Sequence, residues 1–341
     1  MQLASRTRDW PSIPQHKRSA MNDQATEMTS PFHAGEREMQ SRVGRRDRIE
    51  EFGRKFIRPF MPDQHREFFG KLPFLVLGSV DADGWPWASM ISGRSGFIQT
   101  PHERRLDLDA RPLADDPLNA ALQAGAPIGV LGIELSTRRR NRATATVGTV
   151  GDHGFSLDVV QSFGNCPKYI QTHDVSFVRD PKAVIDRPAN DRFVELDAKA
   201  RDTIAGANSF YVASHANTPD QAGVDVSHRG GRAGFVKVEG NSLLVPDFAG
   251  NNFFNTLGNF LLNPKAGLLF PDYQTGDTLM LTGTVEVLAD GHPDIAGFKG
   301  ANRGWRFHLD HGLRIYDALP FRAEFLEFSP YSLMGDSWKA I

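Results

Sequence analysis

The sequence predicts a mainly β protein with flanking helices, an α+β fold built from two small antiparallel barrels in tandem. Glycine (32 residues), proline (21) and phenylalanine (24) are abundant, a composition that favours turn-rich strands over a helical bundle. Short apolar runs bounded by turn signals follow one another with few helical segments between them. A motif of the first half also recurs in the second, which indicates a repeated unit.

The first half carries the elements of one barrel behind an N-terminal helical region. Residues 31–57 predict a helix with charged faces, although Gly44 and Gly53 weaken it. Its apolar stripe consists of Met39, Val43, Ile49, Phe52 and Phe56. Shorter helices are predicted over 63–69 and 115–124. Strands are predicted over 72–80, 85–92, 96–100, 104–110, 127–135 and 142–150, with a hairpin turn at Asp81–Gly84.

A shift of 138 positions, which takes Ser89 to Ser227, superposes the second half on the first without a gap. The matched pairs include Gly93/Gly231, Arg94/Arg232, Gly96/Gly234, Phe97/Phe235, Leu106/Leu244, Asp109/Asp247, Gly129/Gly267, Leu131/Leu269, Thr144/Thr282 and Val147/Val285. One unbroken register that keeps glycines ahead of apolar strands predicts a duplicated domain. We therefore expect a disordered tail over 1–30, a first domain over 31–180 and a second over 181–341, which a helix over 191–205 begins.

Composition excludes several classes of protein. The 39 Lys+Arg and 41 Asp+Glu residues nearly balance, so no overall field attracts nucleic acid or an anionic membrane. Cys166 is the single cysteine, which excludes an internal disulfide and fits a reducing compartment. No apolar run approaches the roughly 20 residues of a membrane span. The sequence therefore predicts a soluble, cytoplasmic protein, and both a monomer and a homodimer stay open.

The run over 226–235 has the chemistry of an anion site, because it contains Ser227, Arg229 and Gly230. Arginine pairs with phosphate through two parallel hydrogen bonds, while a hydroxyl and exposed amides supply further donors. The alternative is a surface turn with a solvated arginine.

Asparagines follow in the same half. Asn251 and Asn252 come directly after Gly250, and Asn252, Asn255 and Asn259 have the spacing of one helix face. We expect Asn251, Asn252 and Asn259 to bind a ligand through their amides. Helix capping with a polar outer face is the alternative.

The first half offers a basic run and a loop. Strand alternation over 137–142 predicts that Arg138, Arg140 and Arg142 share one face, and that Arg139 and Asn141 share the other. The run either binds an anion or protects a strand edge with solvated charge. The loop over 162–170 brings Asn165, Lys168 and Tyr169 together and either closes over a ligand or only packs.

Other chemistries have little support in the sequence. The histidines have no metal-ligand spacing with a cysteine, so no metal is expected. A nucleophile elbow, a P-loop and a dinucleotide-binding glycine motif are all missing. No catalytic residue stands out.

Several motifs together carry a family resemblance. In the first half they are Leu72-Pro73-Phe74-Leu75, Gly84–Ser89, Leu131–Leu135, Thr137–Arg142 and Gln161–Ile170; in the second they are the Ser-x-Arg-Gly-Gly run at Ser227, the Gly-Asn run at Gly250 and Asn263–Phe270. With them the chain resembles the pyridoxamine 5′-phosphate oxidase-like family of FMN-binding split barrels, in its two-barrel form. The resemblance covers residues 32–328 and implies a flavin between the barrels, with its phosphate at Ser227, Arg229 and Gly230.

The resemblance implies an FMN-dependent oxidoreductase that meets a small-molecule substrate or electron donor. The alternative is a non-catalytic flavin or haem carrier or sensor, since the family also includes proteins that bind haem or a deazaflavin. Ile91 stands where the repeat would place the equivalent of Arg229. A single phosphate site, in the second half, is therefore expected.

Overall fold

The structure is a computed structural model that describes residues 30–217, 222–332, 335, 337 and 338. Apart from its last residue, the predicted disordered tail lies outside the described residues. The described residues from Pro31 onwards form one compact unit. No helix in the described part of the chain has the length and apolar character needed to cross a bilayer.

Seven helices and seventeen strands make up the described residues, so the protein is mainly β with flanking helices, as predicted. The helices are α1 (Ala34–Arg42), α2 (Arg46–Phe56), α3 (Asp63–Lys71), α4 (Pro117–Ala121), α5 (Ala198–Gly206), α6 (Asn255–Leu262) and α7 (Pro293–Ala296). The strands of the first half are β1 (Phe74–Val80), β2 (Pro86–Ser92), β3 (Ile98–Gln99), β4 (Arg105–Leu108), β5 (Pro127–Glu134), β6 (Arg139–Val150), β7 (Phe155–Gly164) and β8 (Thr172–Phe177). Those of the second are β9 (Asp191–Phe193), β10 (Ser209–Asn217), β11 (Ala222–Gly230), β12 (Lys237–Glu239), β13 (Ser242–Phe248), β14 (Lys265–Pro271), β15 (Thr278–Leu288), β16 (Ala301–Ile315) and β17 (Phe321–Glu327).

Two large antiparallel sheets repeat one strand order. The first runs β2-β1-β5-β6-β7-β4-β3 and the second β11-β10-β14-β15-β16-β13-β12. Local geometry repeats as well: a Cβ at Gly93 or Gly231 would lie 2.4 or 2.5 Å from the phenylalanine ring four residues later. Gly96 and Gly234 both have positive φ, at 93° and 85°. These glycines recur because both halves make the same tight turn, each against its own phenylalanine ring.

The 138-residue offset holds in part of the fold. Pro127 pairs with Thr146 and Lys265 with Thr284, so β14 and β15 follow β5 and β6 at the predicted offset. The pairing of Phe74 with Ser92 recurs as Ser209 with Gly230. Phe74 and Ser209 are only 135 positions apart, because the second hairpin is longer. The offset is lost again before β16, where α7 is inserted.

The two sheets pack face to face through small residues. A Cβ at Gly129 would lie 2.8 Å from the carbonyl oxygen of Val224, and one at Gly267 would lie 2.2 Å from that of Pro86. These glycines occupy equivalent positions on β5 and β14, where each strand approaches the backbone of the other sheet. An apolar cluster that includes Leu131 and Leu269 fills the space between the sheets.

The N-terminal helical region differs from the prediction. The predicted helix over 31–57 is divided into α1 and α2, because Gly44 adopts a left-handed conformation with φ 64°. Met39 and Ile49 are buried, whereas Phe52 and Phe56 are 44% and 49% exposed and lie outside the core. The apolar stripe was therefore only half correct.

The start of the second half also differs. The predicted helix over 191–205 begins only at Ala198, since Asp191–Phe193 forms β9 and pairs with β16. Strand β17 pairs with β8 of the first half rather than with the second large sheet. Strand β17 of the second half therefore joins the two halves through backbone pairing with β8.

Candidate anion site between the two sheets

A polar cavity of about 150 Å³ lies where β6 of the first sheet meets β11 and the start of α6 in the second. The loop after β7 and the segment after β13 complete its wall. Ten of the thirteen predicted site residues line it: Arg140, Arg142, Asn165, Lys168, Tyr169, Ser227, Arg229, Gly230, Asn251 and Asn252. Residues from both halves thus converge on one cavity although they lie far apart in sequence.

Two predicted residues of the first half lie elsewhere. Arg138 precedes β6 with φ 61°, so it does not share the strand face of Arg140 and Arg142. Its guanidinium instead lies 2.6 Å from a carboxylate oxygen of Glu327 and 3.0 Å from the carbonyl oxygen of Ile170. Asn141 is buried on the opposite face of β6. The alternation predicted for this run holds only from Arg139 onwards, because the strand begins there.

The predicted asparagine face does not form either. Asn252 precedes α6 and has a left-handed backbone with φ 60°. Asn259 lies inside α6, is buried, and donates a hydrogen bond to the hydroxyl of Ser214 at 3.0 Å. Asn259 is therefore not part of this cavity.

Basic side chains dominate the cavity wall. Five cations line it, namely Arg140, Arg142, Lys168, Arg229 and Arg303, against the single carboxylate of Asp247. Opposed basic groups in a partly buried cavity raise its potential and attract an anion.

Most of these cations already have partners. Arg229 donates from Nη1 to Oδ1 of Asp247 at 2.5 Å, and Arg142 forms an ion pair with Asp225. Arg303 contacts Asp290 at 2.6 Å.

Arg140 differs from them. No carboxylate within the described residues lies at ion-pair distance from it, and its Nε is buried without a hydrogen-bond partner. Burial lowers the pKa of Arg140 to about 10; the nearby Cys166 acts to raise it and Arg229 to lower it. The guanidinium therefore stays charged at neutral pH and lacks a counter-ion among the residues that the structure describes.

Nε of Arg229, Nδ1 of His228 and Oδ1 of Asn165 are also buried at the cavity without a hydrogen-bond partner among the described residues. Burial, followed by the charges of Arg140 and Arg229, lowers the pKa of His228 well below 6.5, so the imidazole is neutral. Buried polar atoms nearly always have a partner in native proteins. The guanidinium N–H donors of Arg140 and Arg229 fit a bound anion.

The N-terminus of α6 opens on the same cavity. Asn255, Thr256 and Leu257 line it, and no side chain caps the helix. The first N–H groups of a helix have no partner inside the helix and carry part of the positive end of its dipole. They add donors for an anion beside the arginines.

Strained backbone also gathers here. Tyr169, Asn252 and Phe254 all line the cavity with φ of 68°, 60° and 62°. Such conformations cost energy and occur often at functional sites. The ring of Tyr169 stacks on Phe248 at 5.0 Å, and its hydroxyl donates to the carbonyl oxygen of Ala249 at 3.1 Å. These contacts hold the loop over 165–169 against the second half.

Sequence reasoning missed several cavity residues. His228 has no recognisable pattern of its own, and Arg303 lies beyond the point at which the repeat register is lost. Asp247 was visible only as the match of Asp109 in the repeat. The ion pair between Asp247 and Arg229 could not be read from the sequence.

The equivalent position in the other half has different residues. Thr278 and Met280, which follow Arg140 and Arg142 by 138 positions, are 5% and 1% exposed. Ser89, the match of Ser227, donates to Oδ1 of Asp116 at 2.5 Å. Burial raises the pKa of Asp116 to about 6, with the hydrogen bonds from Ser89 and a backbone amide acting against it. The described residues also hold no cluster of three or more metal-ligating side chains.

Neither a protein-family model nor a curated protein matches the sequence. Solved structures match parts of it. A putative pyridoxamine 5′-phosphate oxidase from Lactobacillus delbrueckii is 15% identical with a TM-score of 0.26, and the match covers 31% of this chain and 95% of the other. An FAD-binding protein from Mesorhizobium loti is 14% identical with a TM-score of 0.24, over 37% of this chain and 97% of the other. HutZ, the haem storage protein from Vibrio cholerae, is 15% identical with a TM-score of 0.21, over 30% of this chain and 96% of the other. Each match covers only part of this chain. Within those parts the chain is similar to pyridoxamine 5′-phosphate oxidase-like split-barrel proteins, which is the family that its motifs resemble.

Proposed function

We propose that the cavity between the two sheets binds the phosphate of FMN, and that the protein is an FMN-dependent oxidoreductase acting on a small molecule. The observation that carries this proposal is the pair of unpartnered buried guanidinium nitrogens, Nε of Arg140 and Nε of Arg229. A phosphate offers several acceptor oxygens and two negative charges, which suits these donors and the uncapped end of α6.

The contribution of each residue to phosphate binding follows from the contacts that it already makes. Arg140, which has no carboxylate partner among the described residues, supplies the main charge. Arg229 adds its free Nε, while its Nη1 stays paired with Asp247. The hydroxyl of Ser227 donates to Asp225 at 3.2 Å and accepts from Thr256 at 3.0 Å. Ser227 therefore fixes the wall and is a weaker donor to the anion than the resemblance implies.

The size of the cavity fits one end of the cofactor. Its volume of about 150 Å³ lies below the roughly 300–1,000 Å³ of a site that encloses a whole drug-sized ligand. The enclosed cavity therefore has room for a group the size of a phosphate. FMN would supply the redox chemistry at its ring, and this chain would supply binding and orientation.

Reconstitution with two flavins tests the proposal. Riboflavin has the same ring as FMN but no phosphate. We expect FMN to bind more tightly than riboflavin by on the order of 100-fold, as several charged hydrogen bonds would give. Fluorescence quenching of each flavin on titration with the full chain measures both affinities. Equal affinities would show that the phosphate is not bound here.

A haem carrier is the second candidate, because a neutral imidazole at the cavity can ligate iron and His228 has a free Nδ1. The absorption spectrum of the purified protein separates the two, since haem has a Soret band and flavin does not. If flavin is present, stimulated NAD(P)H oxidation with a panel of acceptors distinguishes an enzyme from a carrier.

A further inference from the structure

A second cavity, of about 260 Å³, lies between α1, α6, β7 and the β10–β11 hairpin. It is separated from the anion site by the ion pair of Arg142 with Asp225 and by Asn255, which borders both cavities. Nothing in the proposed flavin chemistry uses this space.

Its charge is opposite to that of the anion site. Among the described residues, two carboxyl groups line it, those of Glu36 and Asp225, and no lysine or arginine does. Asp225 is paired with Arg142, which reaches it from the other cavity. His33 also lines it; burial, the main cause, lowers the pKa of this histidine to about 4, so it is neutral.

Glu36 is the distinctive group. It is 4% exposed, and within the described residues no lysine or arginine lies at ion-pair distance from it. Its carboxyl accepts hydrogen bonds from the backbone N–H of His33 at 2.9 Å and from the side-chain amide of Asn255. A buried carboxylate is costly without a counter-charge. A cation entering the cavity would supply that charge.

The rest of the wall suits a flat ring. Phe163, Val160 and Pro31 provide apolar surface, and the amide of Gln161 provides a polar edge. The volume is below the roughly 300–1,000 Å³ usual for drug-sized ligands, so a single ring is the appropriate size.

We propose that this cavity is a second ligand site, which takes a small planar organic cation such as an amidine or a protonated nitrogen heterocycle. Glu36 is its counter-ion, and the apolar wall holds the ring. The site stands independently of the flavin assignment, because it uses none of the basic residues of the anion cavity.

Two probes of the same shape test the charge requirement on the full chain. Benzamidine is a planar cation at both pH 6 and pH 8, and benzamide is its neutral counterpart. We expect calorimetric titration to show benzamidine binding at least tenfold more tightly than benzamide at pH 8. Burial raises the pKa of Glu36 to about 7, against the opposing effects of its hydrogen bonds and of Arg142 and Arg37. Benzamidine should therefore bind about tenfold more weakly at pH 6, where Glu36 is mostly protonated. The other titratable groups that line the cavity are His33, whose lowered pKa of about 4 keeps it neutral at both pH values, and Asp225, which is paired with Arg142.

Variants locate the site. Glu36→Gln should remove the preference for benzamidine, while Glu38→Gln, an exposed change on the same helix, should leave it unchanged. Val160 is 51% exposed and lines the cavity, so Val160→Lys should weaken benzamidine binding at least tenfold without disturbing the core. If Glu36→Gln fails to fold, Val160→Lys alone tests whether benzamidine binds in this cavity.

Three results would overturn the proposal. They are equal or undetectable binding of the two probes, a benzamidine affinity that survives both cavity variants, and an equal loss in Glu38→Gln.

Discussion

Removing the charge of Arg140 should have two opposite effects. Arg140 is a partly buried cation that has no counter-ion among the described residues, so it opposes folding of the free protein and favours anion binding. A guanidinium whose pKa burial lowers to about 10 costs on the order of 3 kcal/mol to keep charged in the folded state. Arg140→Gln removes that cost and keeps the first part of the side chain, with a neutral amide near the position of Nε. We therefore expect the free variant to be more stable than the parent, with a Tm raised by about 2–6 °C.

The same change should weaken anion binding. Loss of a charged hydrogen bond costs about 1.5–3 kcal/mol, which is about a 10- to 150-fold loss of affinity. The assay is thermal denaturation with and without inorganic phosphate, followed by FMN titration. Phosphate should raise the Tm of the parent and have much less effect on Arg140→Gln.

A matched control lies next to it on β6. Arg139 points to the other face, where it donates to the carbonyl oxygen of Gln64 at 2.7 Å and lies over the ring of Phe68 at 4.8 Å. Arg139→Gln should leave phosphate and FMN affinity unchanged. If Arg140→Gln lowers the Tm of the free protein and keeps the parent's response to phosphate, Arg140 is a structural residue and the reasoning is wrong.

Three further changes test other parts of the structure. Asp247→Asn should tighten phosphate binding by about tenfold because it frees Arg229 and removes the one carboxylate of the anion cavity; unchanged affinity by titration would contradict this. Gly267→Ala should destabilise the fold by several kcal/mol in chemical denaturation, since its Cβ would lie 2.2 Å from a backbone oxygen of the other sheet, whereas Gly206→Ala, with no atom within 4 Å, should be neutral. Glu36, with a pKa of 4.5 when unfolded and about 7 when folded, binds more protons in the folded state, so stability should fall as the pH rises from 4.5 to 7. Glu36→Gln should flatten that part of the Tm–pH curve, and an unchanged slope would show that another group is responsible.

Spacing along the chain was enough to predict most elements of the barrels. The alternation of Leu106 and Leu108 predicted β4, and the Asp-Gly turn at Gly84 predicted the hairpin of β1 and β2. The repeat of Gly129 and Gly267 indicated equivalent strands, but not the reason for glycine. The reason is the close approach of the opposite sheet, which no local pattern records.

Helix starts were the weakest part of the prediction. The segment over 191–193 has helix-compatible residues and became a strand because the edge of β16 was available for pairing. Asn252 has the spacing of the α6 face but lies before the helix, where the backbone turns left-handed. Local propensity cannot reveal either outcome, since both depend on residues distant in sequence.

The sequence by itself determined the chemistry available to the chain: a serine, glycines, asparagines and many arginines at strand ends, one cysteine and no metal motif. Only the tertiary structure decided which of these groups are free to act. Arg229 was the expected anion ligand, yet it is partly neutralised by Asp247, whereas Arg140 is partly buried and has no counter-ion among the described residues. The physical reason is that the electrostatic role of a side chain depends on its partners and its burial, and both are set by how the two sheets pack.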